Sequence, residues 1–239
     1  MRFFDTHIHL ANFNQVLMKD LMDSLSRNGV ERCLAVCAQE ADWLKTASLF
    51  DAYPKQIIPA FAVHPWYASE VREGYQERLE AYFKKYPQAL VGECGFDRAC
   101  RTDLKSQTEV FEQQFLLAKK YNRPMLIHSV KAEDLVLKYL TQKHPKMLIH
   151  SFSGSAQFLK QLMSNGCYIS VNIKFFNKPS AVDMIRQTEK NRLLIETDAP
   201  YQSSVLSLAE VVQKIAQIRQ ESVENTAQIL YSNAEEFLV

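Results

Sequence analysis

Short apolar runs alternate with amphipathic segments along this whole chain, and that alternation constrains its fold more than any other feature. The runs are Arg2 to Phe4, Arg32 to Cys37, Ile57 to Val63, Ala89 to Gly92, Pro124 to Ile127, Lys146 to Ile149, Cys167 to Val171 and Arg192 to Ile195. Helical spacing predicts helices over Asn14 to Asn28, Ala41 to Tyr53, Tyr75 to Tyr86, Ser106 to Tyr121, Glu133 to Lys143, Ala156 to Ser164, Ala181 to Thr188, Leu208 to Gln220 and Ser222 to Leu238. The first puts Val16, Leu17, Leu21 and Leu25 on one face and stops at Gly29. Ser106 with Glu109, and Ser207 with Glu210, have the spacing of capping boxes.

Strands separated by helices pair in parallel, because a parallel pair needs a crossover between its members. The runs are apolar without alternation, as strands covered on both faces must be. Eight such units, with no linker or compositional break, predict one α/β domain over residues 1–239, folded as a closed (β/α)8 TIM-type barrel. An open, doubly wound sheet satisfies the same alternation.

Composition narrows the function classes. A formal net charge of +1 gives no global attraction to nucleic acid or membrane, so any anion site has to be local. No apolar run is long enough to span a bilayer, and the N-terminus lacks the pattern of a secretory signal. Cys33, Cys37, Cys94, Cys100 and Cys167 fit neither a zinc ribbon nor a redox pair. Reduced, mostly buried thiols in the cytoplasm are expected.

The polar residues of interest follow the apolar runs. His7 and His9 follow the first, His64 the third, Glu93 the fourth, His128 the fifth, His150 the sixth and Asp198 the eighth. Residues two apart on a strand share a face, so an extended backbone aims His7 and His9 at one point. Asp5 has the same parity and is a candidate to orient an imidazole or join the site. In a parallel barrel all strand C-termini open on one face, and that face carries the chemistry. Only His144 lies elsewhere, in the last turn of a predicted helix, where a dipole or solvent role suffices.

Charged and imidazole groups at apolar strand ends are costly unless paired or bound to metal. Their number suggests two ions. His7, His9 and Asp198 can face one, His128 and His150 the other, and Glu93 can bridge. Two ions about 3.5–4 Å apart form a clamp for hydrolysis. Mixed imidazole and carboxylate ligands suit zinc or manganese, with magnesium possible where waters fill the sphere.

The loops on the same face carry Arg98, Arg101, Lys105, Lys131, Lys174 and Lys178. The Ser153-Gly154-Ser155 helix start is a natural anion site. Together they favour a phosphate-bearing substrate. Trp66 and Phe176 are candidates to stack a base.

These residues also form an ordered set of motifs. Asp5-Thr6-His7-Ile8-His9, Val63-His64-Pro65, Gly92-Glu93-Cys94-Gly95-Phe96-Asp97, Pro124 to His128, His150-Ser151-Phe152-Ser153-Gly154 and Glu196-Thr197-Asp198-Ala199-Pro200 follow one another along the chain, with Asn233-Ala234 near its end. The set resembles the TatD family of metal-dependent hydrolases over nearly the whole length. The resemblance implies a TIM-like barrel, divalent metal, and His7, His9, Glu93, His128, His150 and Asp198 as ligands. It gives Asp198 the catalytic proton and sets His64 against the scissile phosphate. It implies hydrolysis of ester bonds by a deoxyribonuclease that releases nucleotides from DNA 3′ ends. The expected partner is a phosphate-bearing substrate such as single-stranded DNA, met by a monomer without membrane contact.

The chain departs from the family pattern at three places. Val130 stands where an arginine usually follows the fifth-strand histidine, with Lys131 next, and Ser151 stands where the family often has cysteine. The segment after Pro200 runs from Tyr201 almost directly into a helix, where the family usually has a longer loop. The alternative is an amidohydrolase-like enzyme cleaving a C–N or ester bond of a small molecule. Many enzymes of that kind carry a carboxylated lysine after strand four, where this chain has Glu93.

Overall fold

The computed structural model describes residues 1–141 and 143–239. Eight strands form one parallel sheet in sequence order: β1 (Phe3–Ile8), β2 (Val30–Val36), β3 (Ile57–Phe61), β4 (Leu90–Asp97), β5 (Met125–Val130), β6 (Met147–Ile149), β7 (Tyr168–Val171) and β8 (Leu193–Ile195). Helices α1 (Met18–Arg27), α2 (Glu40–Ala52), α3 (Tyr75–Lys85), α4 (Leu104–Tyr121), α5 (Glu133–Leu137), α6 (Ala156–Ser164) and α7 (Ala181–Gln187) make the crossovers, and α8 (Leu208–Arg219) and α9 (Val223–Leu238) follow β8. Just past β8 the sheet meets β1 again, where Ile8 bridges Ala199 in parallel. The His9 N–H donates to the Ala199 carbonyl at 2.9 Å. The strands thus close into the expected barrel.

Two apolar layers hold it together. Phe4, Leu34, Ile58, Leu126, Leu148 and Leu194 fill the barrel interior, and Tyr231, Ala234 and Phe237 of α9 plug its foot. Phe3, Ile8, Val91, Cys94, Ile127 and Ile149 point outward into the helix layer. Burying each large apolar side chain contributes about 1.5–3 kcal/mol. In β5 and β6 the alternation is regular, so His128 follows Leu126 inward and His150 follows Leu148. In β1 and β4 it is not. Pairing shifts register between Asp5 and Ile8 and between Val91 and Cys94. Each irregularity lets a residue three places after an interior one, His7 after Phe4 and Glu93 after Leu90, face inward too.

The helix boundaries differ from the sequence pattern where capping chemistry overrides it. Asn14 accepts the Val16 N–H at 3.0 Å and starts a 3-10 turn, so α1 begins only at Met18. Val16 and Leu17 are exposed at 89% and 54%, and Met18, Met22 and Leu25 make the buried face. Helix α4 starts at Leu104, ahead of Ser106, because Asp103 caps it by accepting the Ser106 N–H at 2.9 Å. Ser207 forms no cap on α8. Its backbone is already helical and its hydroxyl bonds Ser203. The fifth helix is shorter than expected, ending at Leu137; of its expected span, Gln142 lies outside the described residues. His144 therefore stands in the segment before β6, with Nε2 3.1 Å from the Asn165 carbonyl. Among the described residues no helix is long and apolar enough to cross a membrane.

Candidate metal centre

His7, His9, His64, Glu93, His128, His150 and Asp198 come together at the C-terminal mouth of the barrel. Glu93 is at the centre, inside β4 rather than after it, because that strand runs on to Asp97. Its two oxygens face different partners. Oε2 lies 3.3 Å from His7 Nε2 and 3.7 Å from His9 Nε2. Oε1 lies 2.5 Å from His150 Nε2, 2.7 Å from His128 Nδ1 and 3.3 Å from His64 Nε2. Asp198 Oδ1 completes the first group, 3.4 Å from His9 Nε2 and 4.0 Å from His7 Nε2. Apart from His128, which is slightly open, all these side chains are buried.

The donor set fits divalent cations. His7 Nε2 and His9 Nε2 are 3.2 Å apart, as are His128 Nδ1 and His150 Nε2, so each pair of imidazole nitrogens converges beside a Glu93 oxygen. Groups of imidazole and carboxylate atoms close enough to share an ion include His7, His9 and Asp198, and His64, Glu93 and His128. Tautomers sort ligands from donors. The His128 Nε2 side faces Asp97 Oδ2 at 3.3 Å, so with the proton there the Nδ1 lone pair is left for a cation. His64 is the reverse. Its Nδ1 accepts the Trp66 N–H at 3.1 Å, so the neutral ring carries its proton on Nε2 and acts as a donor into the site.

Electrostatics divide the cluster. Burial drives His7 and His64 below the usual histidine range. Burial also opposes a charge on His150, but Glu93 and Glu196 outweigh it and hold that imidazole well above the range. Burial favours the neutral form of Glu93, yet His150, His64 and His7 outweigh it and hold the carboxyl well below the usual value. Asp198 is lowered in the same way, its bond to His9 overcoming burial. A buried carboxylate ringed by imidazoles is thus balanced by protons, the charge that a bound cation replaces.

Several supports were not read as such in the sequence. Gln107 and Gln114, seven residues apart on α4, are fully buried and clamp the backbone beside the site. Gln114 accepts the Val63 N–H at 2.7 Å and donates to the Val63 carbonyl at 3.1 Å, fixing the chain just before His64. Gln107 does the same for Asp97, at 2.8 and 3.0 Å. The seven-residue spacing of two glutamines on an apolar helix face was the available signal. Asp97 itself accepts the Trp66 Nε1–H at 2.6 Å and so ties that indole to His128.

Asp5 does not join the site or orient an imidazole. The register shift in β1 breaks the parity it would share with His7. Its carboxylate instead accepts Thr197 Oγ1–H at 2.6 Å, the Thr197 N–H at 3.0 Å and the His7 N–H at 3.2 Å.

A cavity of about 440 Å³ opens over the cluster. Trp66 and Tyr67 line it from the segment after β3, Ser151, Asn172, Lys174 and Lys178 from those after β6 and β7, and Tyr201 and Gln202 from that after β8. The other expected basic residues do not line it. Arg98 is paired with Asp134 and Lys105 with Glu109, while Arg101 and Lys131 lie off the cavity. Nor is the start of α6 open to an anion. Glu133 fills it, accepting the Ser155 N–H at 2.7 Å and its hydroxyl at 2.8 Å. Phe176 packs against the core beside Lys214, so of the two aromatic candidates only Trp66, 54% exposed, faces the cavity.

An eight-stranded parallel barrel with a histidine and carboxylate cluster at its C-terminal mouth has the make-up of a metal-dependent enzyme. Comparison with known proteins narrows the class. The chain belongs to the family described as TatD related DNase, whose model matches residues 4–239. It is 30% identical to a Haemophilus influenzae protein described as an uncharacterized metal-dependent hydrolase, over 84% of this chain and 82% of that one. It is 25% identical to the 3′-5′ ssDNA/RNA exonuclease TatD of Pantoea ananatis, over 97% of each. The crystal structure of YjjV, a TatD homologue of Escherichia coli, superposes with a TM-score of 0.89 at 25% identity, covering 99% of this chain and 97% of that one. Some of the matched relatives are described as nucleases and others as uncharacterized metal-dependent hydrolases.

Proposed function

We propose that the protein is a two-metal phosphodiesterase that releases nucleotides from the 3′ ends of DNA. The observation that carries this reading is the division of Glu93: Oε2 toward His7 and His9, Oε1 toward His128 and His150. One carboxylate addressing two imidazole pairs is the arrangement a bridging ligand requires. Divalent ions, zinc, manganese or magnesium, would supply the positive charge that activates water and polarises a phosphoryl oxygen.

The side chains carry the remaining steps. Asp198, with its carboxyl held low, accepts a proton from the attacking water. His64 donates its Nε2–H to a phosphoryl oxygen, and its neutral ring costs nothing to keep so at neutral pH. Glu93 holds the two halves of the centre in fixed relation. The exposed face of Trp66, its indole N–H tied to Asp97, stacks a terminal base. The nuclease relative from Pantoea ananatis supports the choice of a nucleic-acid 3′ end. The reading includes a monomer, and a cytoplasmic location that five free cysteines, four of them buried, support.

The test uses chelated protein, shown metal-free by elemental analysis, with and without each divalent ion. Its substrates are 5′-labelled single-stranded DNA, a phosphomonoester, an amide and an ester. A metal-restored ladder of DNA shortened from the 3′ end is expected. Metal-restored amide or ester hydrolysis with intact DNA would overturn the reading.

A further inference from the structure

We infer that Lys178, Lys174, Asn172 and Ser151 form a second phosphate subsite beside the metal centre, so that the preferred substrate carries a phosphate besides the scissile one. The inference rests on the phosphodiesterase reading and extends it to what the enzyme grips.

The first observation is charge. Of six basic residues in the mouth loops, only these two lysines line the cavity, and among the described residues neither forms an ion pair. Lys178 is half-buried, and its stem reaches over the Phe175 ring with Nζ 5.4 Å from the ring centre. Its Nζ donates once, to the Phe152 carbonyl at 3.1 Å. An ammonium has three protons, so two remain for the cavity. A partly buried cation with no anion partner is costly, and a bound phosphate removes that cost.

The second observation is the polarity of its neighbours. The Lys174 backbone N–H donates to Asn172 Oδ1 at 3.0 Å, which fixes the amide orientation, because only the oxygen can accept. Asn172 Nδ2 then donates to Ser151 Oγ at 2.8 Å. That leaves a second amide hydrogen and the Ser151 hydroxyl hydrogen free. Asn172 is buried, and Ser151 directly follows His150. This wall thus gathers spare hydrogen-bond donors beside two ammonium groups, the surroundings that a phosphate with several acceptor oxygens takes up. Trp66 and Tyr67 follow β3, across the eight-stranded barrel from the segment after β7 that carries Asn172 to Lys178, and give the cavity an aromatic lining there. A nucleotide unit with its base on that side and an additional phosphate on the lysine side matches both.

The test is a binding measurement on the full chain in chelator, which prevents turnover and separates this inference from the activity. Dithymidylate is compared with the same dinucleotide phosphorylated at its 5′ end and at its 3′ end. The wild type is expected to bind at least one phosphorylated form about tenfold or more tighter than the bare form. Lys178→Met keeps the stem and removes the charge, and it should abolish that preference. Lys174→Met, at an exposed position, should weaken it, and Lys178→Arg should retain it. Equal wild-type affinity for all three dinucleotides would overturn the subsite, as would an undiminished preference in both methionine variants. Metal-restored hydrolysis, followed separately, reports only on the phosphodiesterase reading.

Discussion

The Asp198 backbone N–H donates to the His7 carbonyl at 2.8 Å, so the seam that closes the barrel joins two residues whose side chains meet in the candidate metal centre. Closure and ligand placement are one structural event. Backbone bonds hold the seam, while the side chains remain available for chemistry.

This separation predicts the behaviour of Asp198→Asn. The variant keeps the seam and the shape of the side chain but loses the basic oxygen. Turnover on single-stranded DNA should fall by about 10²–10⁴, with KM and melting temperature near wild type. Steady-state kinetics beside thermal unfolding check it. A loss confined to KM would assign Asp198 to binding.

Glu93→Gln should damage both halves of the centre. One oxygen becomes an amide nitrogen, which can face neither imidazole pair as an anion. Elemental analysis after dialysis should find both ions depleted, and activity should not return at metal levels that saturate the wild type. Retention of one full ion would show that the two groups bind independently.

Gln114→Leu should act through stability. It leaves the buried Val63 N–H and carbonyl without partners, at about 1–3 kcal/mol for each group. A lower urea midpoint is expected, with loss of activity from displacement of His64. Gln114→Glu, which still accepts the N–H but cannot donate to the carbonyl, should be affected in the same direction.

Asp5 predicts a pH dependence. Burial pushes its carboxyl up to about 7, against the pull of the bonds from Thr197 and His7. A raised folded-state value means that the native state holds the proton more tightly than the unfolded chain. Its contribution is therefore complete below about pH 4 and is lost as pH rises toward 7, with an upper size of about 4 kcal/mol. Asp5→Asn cannot titrate. The stability of wild type relative to this variant, measured by urea unfolding in chelator, should decline across that window and be level above it. A flat difference would mean that Asp5 is ionised throughout.

The barrel was legible because its strands are apolar throughout and its crossovers keep helical spacing. The residues of the mouth were legible because each follows a run. What the pattern could not give was irregular backbone. Parity counting put Asp5 beside His7, whereas the register shift of β1 turns it to Thr197. The pattern also could not see which charges were already satisfied. Ser155 looked like an open anion site, yet Glu133, more than twenty positions earlier, occupies it. Arg98 looked available to substrate and is paired with Asp134. The glutamine clamps went unread because their partners are backbone groups distant in sequence.

The irregularities in β1 and β4 also bear on which changes the chain can tolerate. Elsewhere in the barrel a lost or gained residue is absorbed by a loop. With strict alternation at the present length, Phe4 in the interior would put His7 and His9, three and five places further on, into the helix layer. A more ideal barrel would be an inert one. Residue count and irregularity are therefore tied in these two short spans: a relative that lacks one residue there should also lack the register shift, whereas the segment after Pro200 can vary in length by itself.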